Sequence, residues 1–330
     1  MKAIVQDRYG PPDDVLELRE VDRPVAGDDE VLVRVHAAGV HTGDWHLVTG
    51  LPYLVRMVGY GLLRPKTGIP GIDVAGHVEA CGRNVKQFQP GDEVFGCCTG
   101  AFAEYVAIPE DALAPKPVNL TLEQAAAVPT SALTALQSLR DRGRIQPGQK
   151  VLIIGASGGV GMFAVQIGKS FGAEVTGVCS TRNADMVRSI GADRVIDYTT
   201  EDFTRSGERY DLIIDIAGNR SLSDCRRALT PRGTLVMVGS SGRRLLKRRD
   251  RWFLGIDRWL KALAISPFVR QRLLPFISMP KQEDLNTLRE LMEAGKVTPM
   301  IGARYPLSKV PEALRQFEEG HAQGKTVITV

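Results

Sequence analysis

Long apolar runs are missing from this chain. Nothing approaches the ~20 consecutive apolar residues needed to span a bilayer, and the opening Met1-Lys2-Ala3-Ile4-Val5-Gln6-Asp7-Arg8 lacks the apolar stretch of a secretory signal. Cysteine is scarce and unpatterned. The five residues at 81, 97, 98, 179 and 225 form an odd set without paired spacing, which argues against a disulfide framework and for free thiols. Aromatics are few, at 6%, and no charge sign dominates, since the formal net charge is only +4. Bulk charge therefore gives no reason to expect a nucleic-acid partner. The expectation is a soluble, cytoplasmic protein, and 330 residues exceed what one hydrophobic core usually serves.

Glycine is abundant, and its placement is informative. Lys150-Val151-Leu152-Ile153-Ile154 reads as a buried strand, Gly155 to Gly161 as a glycine turn, and Met162 to Phe171 as a helix. That order makes a phosphate cradle. Gly158 removes a side chain where a pyrophosphate approaches, Gly161 lets helix and strand pack closely, and the first helical N–H groups face the anion. Ser157, Gly158, Gly159, Val160 and Gly161 are the candidate cradle, although Ala156 stands where the first glycine of G-x-G-x-x-G belongs. A merely structural tight turn is the competing reading.

Around the cradle the texture alternates. Candidate strands at 150–154, 174–178, 194–196, 211–215 and 233–238 are separated by helical segments, which predicts a parallel, doubly wound sheet. Residues 1–118 read instead as short strands and turns. Thr121-Leu122-Glu123-Gln124 is a capping box that opens an alanine-rich helix near a boundary at 120. Helix returns over Lys281–Glu293, and Lys325–Val330 reads as a last strand.

Cofactor choice follows from the second strand. An acidic residue at its end would accept from the ribose 2′-hydroxyl of NAD. The chain has Cys179-Ser180-Thr181-Arg182-Asn183, with no carboxylate in the stretch and donors from Ser180, Thr181, Arg182 and Asn183 for a 2′-phosphate, so NADPH is expected. A polar loop with a solvent-facing Arg182 is the bland alternative. Strand ends of such a sheet line the crevice, which adds Gly218, Val238, Gly239 and Ser240 as neighbours of ribose and nicotinamide, with Asp215 capping its turn.

With these residues in view the chain resembles the medium-chain dehydrogenase/reductase superfamily, in its zinc-free quinone oxidoreductase-like branch. The marks run along its whole length: Ala37-Ala38-Gly39-Val40, Gly71-Ile72-Asp73-Val74-Ala75-Gly76, Gln89-Pro90-Gly91-Asp92-Glu93-Val94, Gly100-Ala101-Phe102-Ala103-Glu104-Tyr105, Ala125-Ala126-Ala127-Val128-Pro129, the cradle, Gly191-Ala192-Asp193 with Val195-Ile196-Asp197-Tyr198, and Gly324-Lys325. The resemblance implies an α/β protein with a GroES-like β-rich catalytic domain (1–120, completed by 281–330) around a Rossmann NADP-binding domain (121–280). It further implies a homodimer that transfers hydride from NADPH, bound between the domains, to a quinone or an α,β-unsaturated carbonyl. Tyr198 is, by the same resemblance, an adenosine-side contact.

Zinc relatives take ligands from three segments. Here the matching positions hold His41, then Ile72-Asp73, then a residue near Thr130, and the four closely spaced cysteines of a structural zinc are missing. No zinc is expected, since Ile72 cannot ligate and a threonine hydroxyl is a poor ligand. His41, Asp44, His46 and Asp73 could instead assemble some other metal site. Without a metal, the developing oxyanion needs hydrogen-bond donors. The expected catalytic set is His41 first, His46 second, Asp44 as orienting carboxylate, and Thr130 as a donor, with His41 also a proton source near neutral pH. The alternative is that both histidines simply line a polar loop.

Two segments stand apart. Leu51–Leu63 is apolar for a loop and reads equally as a pocket wall or as core. Arg243–Phe253, continuing through Trp259, Leu260, Leu263 and Phe268, is basic and then aromatic. It is read as a solvated helix whose apolar side covers the cleft or the dimer contact, with peripheral membrane contact through 243–268 or RNA phosphates as other readings. Rival functions are a zinc-free alcohol dehydrogenase or ketone reductase, and an NADPH-binding regulatory or scaffold protein with little turnover.

Overall fold

Continuous apolar strands require helices on both faces, because each strand is buried on both sides. The stretch from Lys150 builds such a sheet. The computed structural model describes residues 1–57, 61–239, 256–319 and 324–330. Ser240, the whole basic run Arg243–Phe253, Val58–Tyr60 and His321 lie outside them. The chain forms two units, one of Met1–Leu133, Pro280–Gly295 and Pro299–Val330, the other of Thr134–Met279 and Lys296–Thr298.

In the second unit, β8 (Lys150–Ile154), β9 (Glu174–Cys179), β10 (Arg194–Asp197), β11 (Tyr210–Asp215), β12 (Leu229–Met237) and β13 (Arg272–Pro275) form a sheet ordered β10-β9-β8-β11-β12-β13. Every neighbouring pair is parallel. Numbered within the unit this is 3-2-1-4-5-6, the doubly wound order whose direction reverses between β8 and β11, where ligands bind beyond the strand ends. The five expected strands are present. The sixth, β13, was not expected; four residues ending in Pro275 carry little strand pattern, and Leu273 pairs with Leu235 deep in the core. The helix after β8 spans Gly159–Ser170, starting three residues before the expected Met162.

The first unit holds β1 (Lys2–Gln6) paired with β2 (Leu16–Glu20), and a larger sheet. Its strands are β3 (Glu30–Val40), β4 (Asp73–Cys81), β5 (Glu93–Cys97), β6 (Tyr105–Pro109), β7 (Leu113–Pro115), β14 (Ile301–Pro306) and β15 (Lys325–Thr329), ordered β14-β15-β3-β4-β5-β7 with β6 on β3. Val31, Val33, Val35, Val74, Phe102 and Ile328 are among its core residues.

The boundary falls at 133/134 rather than at 120/121. The helix Leu122–Ala126, capped as expected by Thr121 and Gln124, belongs to the first unit. Gly39 of β3 explains the attachment, since a Cβ there would lie 2.3 Å from the carbonyl oxygen of Ala126. Only a bare backbone lets that helix seat so closely.

A parallel argument applies at Gly161, where a Cβ would lie 2.1 Å from the carbonyl oxygen of Gly155. Gly161→Ala is expected to cost about 2–3 kcal/mol, because only backbone can give way. Gly158→Ala, whose Cβ meets nothing nearer than 3.6 Å, is expected to cost under about 1 kcal/mol. Urea unfolding of the two variants checks the contrast.

Candidate functional site

The second unit presents hydrogen-bond donors at its switch point. Gly158 is the N-cap of the helix Gly159–Ser170, and no side chain caps that end. The N–H groups of Gly159, Val160 and Gly161 therefore have no acceptor within the helix, and the dipole adds partial positive charge. Room at Gly158 shows that protein packing does not demand glycine there. The bare backbone leaves room for a bound group to approach closely. A dinucleotide's pyrophosphate fits this cradle.

Neighbouring loops are fixed by Asp215 at the end of β11. Its Oδ1 accepts from the Gly218 N–H at 2.9 Å, and its carbonyl accepts from Val238 and Gly239 at 3.0 and 3.1 Å. The Arg258 guanidinium lies 2.5 Å from Oδ2. Asp215 is thus the turn-capping residue that the sequence reading allowed for, and it holds Gly218, Val238 and Gly239 together. Burial raises its carboxyl pKa, and Arg258 opposes that shift. The same burial pushes the Cys225 thiol, beside Arg258, up to about 12.

At the end of β9 the expected donors divide. Arg182 is exposed. Asn183 is buried and donates to the Ser157 hydroxyl at 3.0 Å and to Ser180 at 3.4 Å, so it faces the cradle loop. The Thr181 hydroxyl donates to Asp197. The stretch itself has no carboxylate, but β10 brings one beside it by setting Asp197 in register with Cys179. Its other oxygen accepts from the N–H and hydroxyl of Thr199 at 2.9 and 2.8 Å. The Thr181 and Thr199 hydrogen bonds hold its carboxyl below the usual range. Tyr198 is half exposed, with its N–H on the carbonyl of Cys179 at 3.0 Å.

The first unit buries a polar cluster. Asp73, which begins β4, is fully buried; its Oδ1 accepts from the Thr130 N–H at 2.9 Å and hydroxyl at 2.5 Å. Lys325, which begins β15, is also buried. Its ammonium donates to Asp73 Oδ2 at 3.3 Å, the Ser131 hydroxyl at 3.1 Å and the Val40 carbonyl at 3.1 Å. Sequence reading noted Lys325 only as part of a motif and missed this role. Thr130 is corrected too. Its hydroxyl hydrogen is committed to Asp73, which takes away the donor role expected of it, and the Cys97 Sγ lies 3.8 Å from the same oxygen.

His41 caps the helix Thr42–Thr49, with Nδ1 accepting from the Gly43 N–H at 2.8 Å, while the His41 N–H donates to Asp44 Oδ2 at 2.8 Å. An accepting Nδ1 places the ring hydrogen on Nε2. Nε2 lies 3.8 Å from Asp44 Oδ2 and 3.9 Å from Asp73 Oδ1, and no described residue partners it. His41 is therefore placed to donate a hydrogen bond. His46 Nδ1 donates to the Leu51 carbonyl at 2.5 Å, with its ring edge-on to Trp45. Asp44 is fully buried, and this burial raises its pKa, with Asp73 adding to the shift against His41 and Lys325.

Zinc does not fit these donors. His41 spends Nδ1 on a cap and carries hydrogen on Nε2, Asp73 is shared between Thr130 and an ammonium, and Ile72 offers nothing. Among the described residues no group of three or more His, Cys, Asp and Glu is arranged to hold a metal ion. In the apolar segment, Met57, Leu62 and Leu63 are exposed, which rules out the core reading for them. Arg56 lies over the Tyr9 and Tyr53 rings there.

Residues 27–118 match the alcohol dehydrogenase GroES-like domain, and residues 190–328 match the zinc-binding dehydrogenase family. The full chain is 33% identical to NAD(P)H oxidoreductase RTN4IP1, mitochondrial, of Mus musculus, covering 89% of it. Across 99% of the chain and 98% of the relative, it is 32% identical to quinone-oxidoreductase QR1, chloroplastic, of Triphysaria versicolor. The structure of the quinone oxidoreductase from Coxiella burnetii superposes with a TM-score of 0.81 at 29% identity, over 100% of this chain and 99% of that one.

Asp44 yields a pH test. Above the ordinary aspartate pKa the unfolded chain releases the Asp44 proton while the folded chain keeps it. Native stability is thus lost as pH rises toward the raised folded value. Asp44→Asn keeps an acceptor for the His41 N–H and removes this dependence. Its stability relative to the wild type is expected to improve as pH rises above the ordinary aspartate range, as read in denaturant titrations.

Proposed function

The chain belongs to the medium-chain dehydrogenase/reductase superfamily, in its quinone oxidoreductase-like branch, and from that premise we propose an NADPH-dependent, zinc-independent reductase of quinones and α,β-unsaturated carbonyls. It is an NAD(P)H-type oxidoreductase by its relatives. The observation that carries the finer reading is the donor-only cradle at Ser157–Gly161 with the exposed guanidinium of Arg182 near the end of β9. Both suit an anionic dinucleotide bearing a third phosphate.

Bound there, the reduced nicotinamide supplies a hydride. The chain's own residues have narrower tasks. The cradle N–H groups hold the pyrophosphate, and Gly218, Val238 and Gly239, fixed by Asp215, shape the crevice beyond it. Tyr198 covers the adenosine. In the first unit the His41 Nε2–H donates to the acceptor's oxygen as negative charge develops, which lowers the barrier electrostatically. The Thr130 oxygen accepts an N–H from the ligand and so fixes its orientation. Asp44 holds the His41 backbone and thereby the ring. His46 braces the same helix through Leu51. The proton that completes the reduction comes from water in this reading, because the His41 Nε2–H is given to the acceptor's oxygen and Nδ1 is spent on the Gly43 N–H. The protein works as a homodimer.

NADH as donor is a second reading, favoured by Asp197, a carboxylate of the kind that accepts a ribose hydroxyl. Both its oxygens are engaged by Thr181 and Thr199, which leaves Arg182 the stronger term.

Arg182→Ala is expected to weaken NADPH binding about tenfold or more while changing NADH binding under about threefold, since only NADPH offers the phosphate that Arg182 would pair. Calorimetric titrations with both nucleotides decide; equal effects would overturn the NADPH assignment. Assays of quinones, enones, ketones and alcohols with each nucleotide test the acceptor class, and turnover confined to ketones and alcohols would overturn it. His41→Ala is expected to lower kcat about 100-fold with a small change in nucleotide affinity, read by steady-state kinetics on the best acceptor.

A further inference from the structure

Asn183 occupies the N-cap of the helix Ala184–Ser189, a position where an asparagine side chain ordinarily accepts from the helix's first N–H groups. It makes no such bond. Its amide is turned instead into the protein, where the residue is only 4% exposed, and its Nδ2 donates to the Ser157 hydroxyl oxygen at 3.0 Å. The local advantage of a cap is forgone for a contact 26 residues back along the chain.

That contact sets a direction. A serine hydroxyl has one hydrogen and two acceptor sites. With an acceptor site filled by Asn183, the hydrogen of Ser157 has to find its own acceptor, and no described residue provides one. Next to it lie the uncapped N–H groups of Gly159, Val160 and Gly161. The hydroxyl hydrogen thus joins a set of donors whose common target is an anion.

We propose that Asn183 is a positioning residue that acts through Ser157: it orients the Ser157 hydroxyl to donate to the dinucleotide's pyrophosphate, and it does not read the 2′-phosphate. This rests on the dinucleotide reading above and alters the part expected of Asn183 within it. NADPH and NADH share the pyrophosphate, so Asn183 serves both alike, and discrimination is left to Arg182.

The test is a double-variant cycle on the full chain, with NADPH and NADH affinities measured by calorimetry and folding followed by the thermal midpoint of the ligand-free protein. Ser157→Ala and Asn183→Ala are each expected to weaken both nucleotides about tenfold, the scale of one hydrogen bond to a charged group. The double variant is expected to be no weaker than either single one. Asn183→Asp, which can only accept, would draw the Ser157 hydrogen away and is expected to weaken both nucleotides further. Should Asn183→Ala fold poorly, Asn183→Ser takes its place in the cycle. A loss confined to NADPH, or additive losses in the double variant, would overturn the proposal. If the wild type binds neither nucleotide, the dinucleotide reading falls and this inference with it. If the wild type prefers NADH, the donor assignment fails while a non-additive cycle still supports the coupling.

Discussion

A lysine and an aspartate, both sealed from water, hold the first unit together. Lys325 and Asp73 begin β15 and β4, and the ammonium reaches the carboxylate, the Ser131 hydroxyl and the Val40 carbonyl at once. Taking two charges out of water is expensive, and the pair is tolerable only because each has further partners. Lys325 spends its three hydrogens on three acceptors. Asp73 gives its other oxygen to Thr130. The arrangement joins the returning C-terminal segment, the start of the helix that follows Val128, and the strand that leads into His41. It also decides which way the Thr130 hydroxyl faces, and so what that residue can offer a ligand.

The two units divide the chemistry by hydrogen-bond polarity. The cradle in the second unit offers donors alone, as an anion requires. The cluster in the first unit mixes one donor, His41 Nε2–H, with an accepting threonine and a buried carboxyl whose pKa burial raises. One ammonium stands among two buried carboxylates. Asp73 has that cation directly, and Asp44, with an oxygen that no described residue partners, is the one whose pKa burial raises.

The doubly wound sheet was legible because parallel strands buried on both faces write themselves as unbroken apolar runs between helices. The cradle was legible because its glycines sit between such a strand and a helix. Other features were not. Four residues ending in proline carry too little pattern to announce β13. The capping box at Thr121 marked a helix correctly, but the unit it joins depends on Gly39, more than eighty positions earlier. Asp197 lies beside the end of β9 only because β10 pairs there, and Lys325 meets Asp73 only after β15 has found β3. Polarity was the hardest property to read. Thr130, His41 and Asn183 were each noticed for their residue type, yet which atom donates and which accepts is set by neighbours distant along the chain.

The order of β15 in the chain has a consequence for synthesis. The second unit is encoded almost without interruption from Thr134 to Met279, so it emerges from the ribosome whole and is free to fold as a unit. The first unit is then still waiting. Until β15 arrives, Asp73 lacks its ammonium and β3 lacks one of its neighbours. Strands made before the second unit are therefore completed only after it, and β3 spends the intervening time with an open edge that is exposed to wrong pairing.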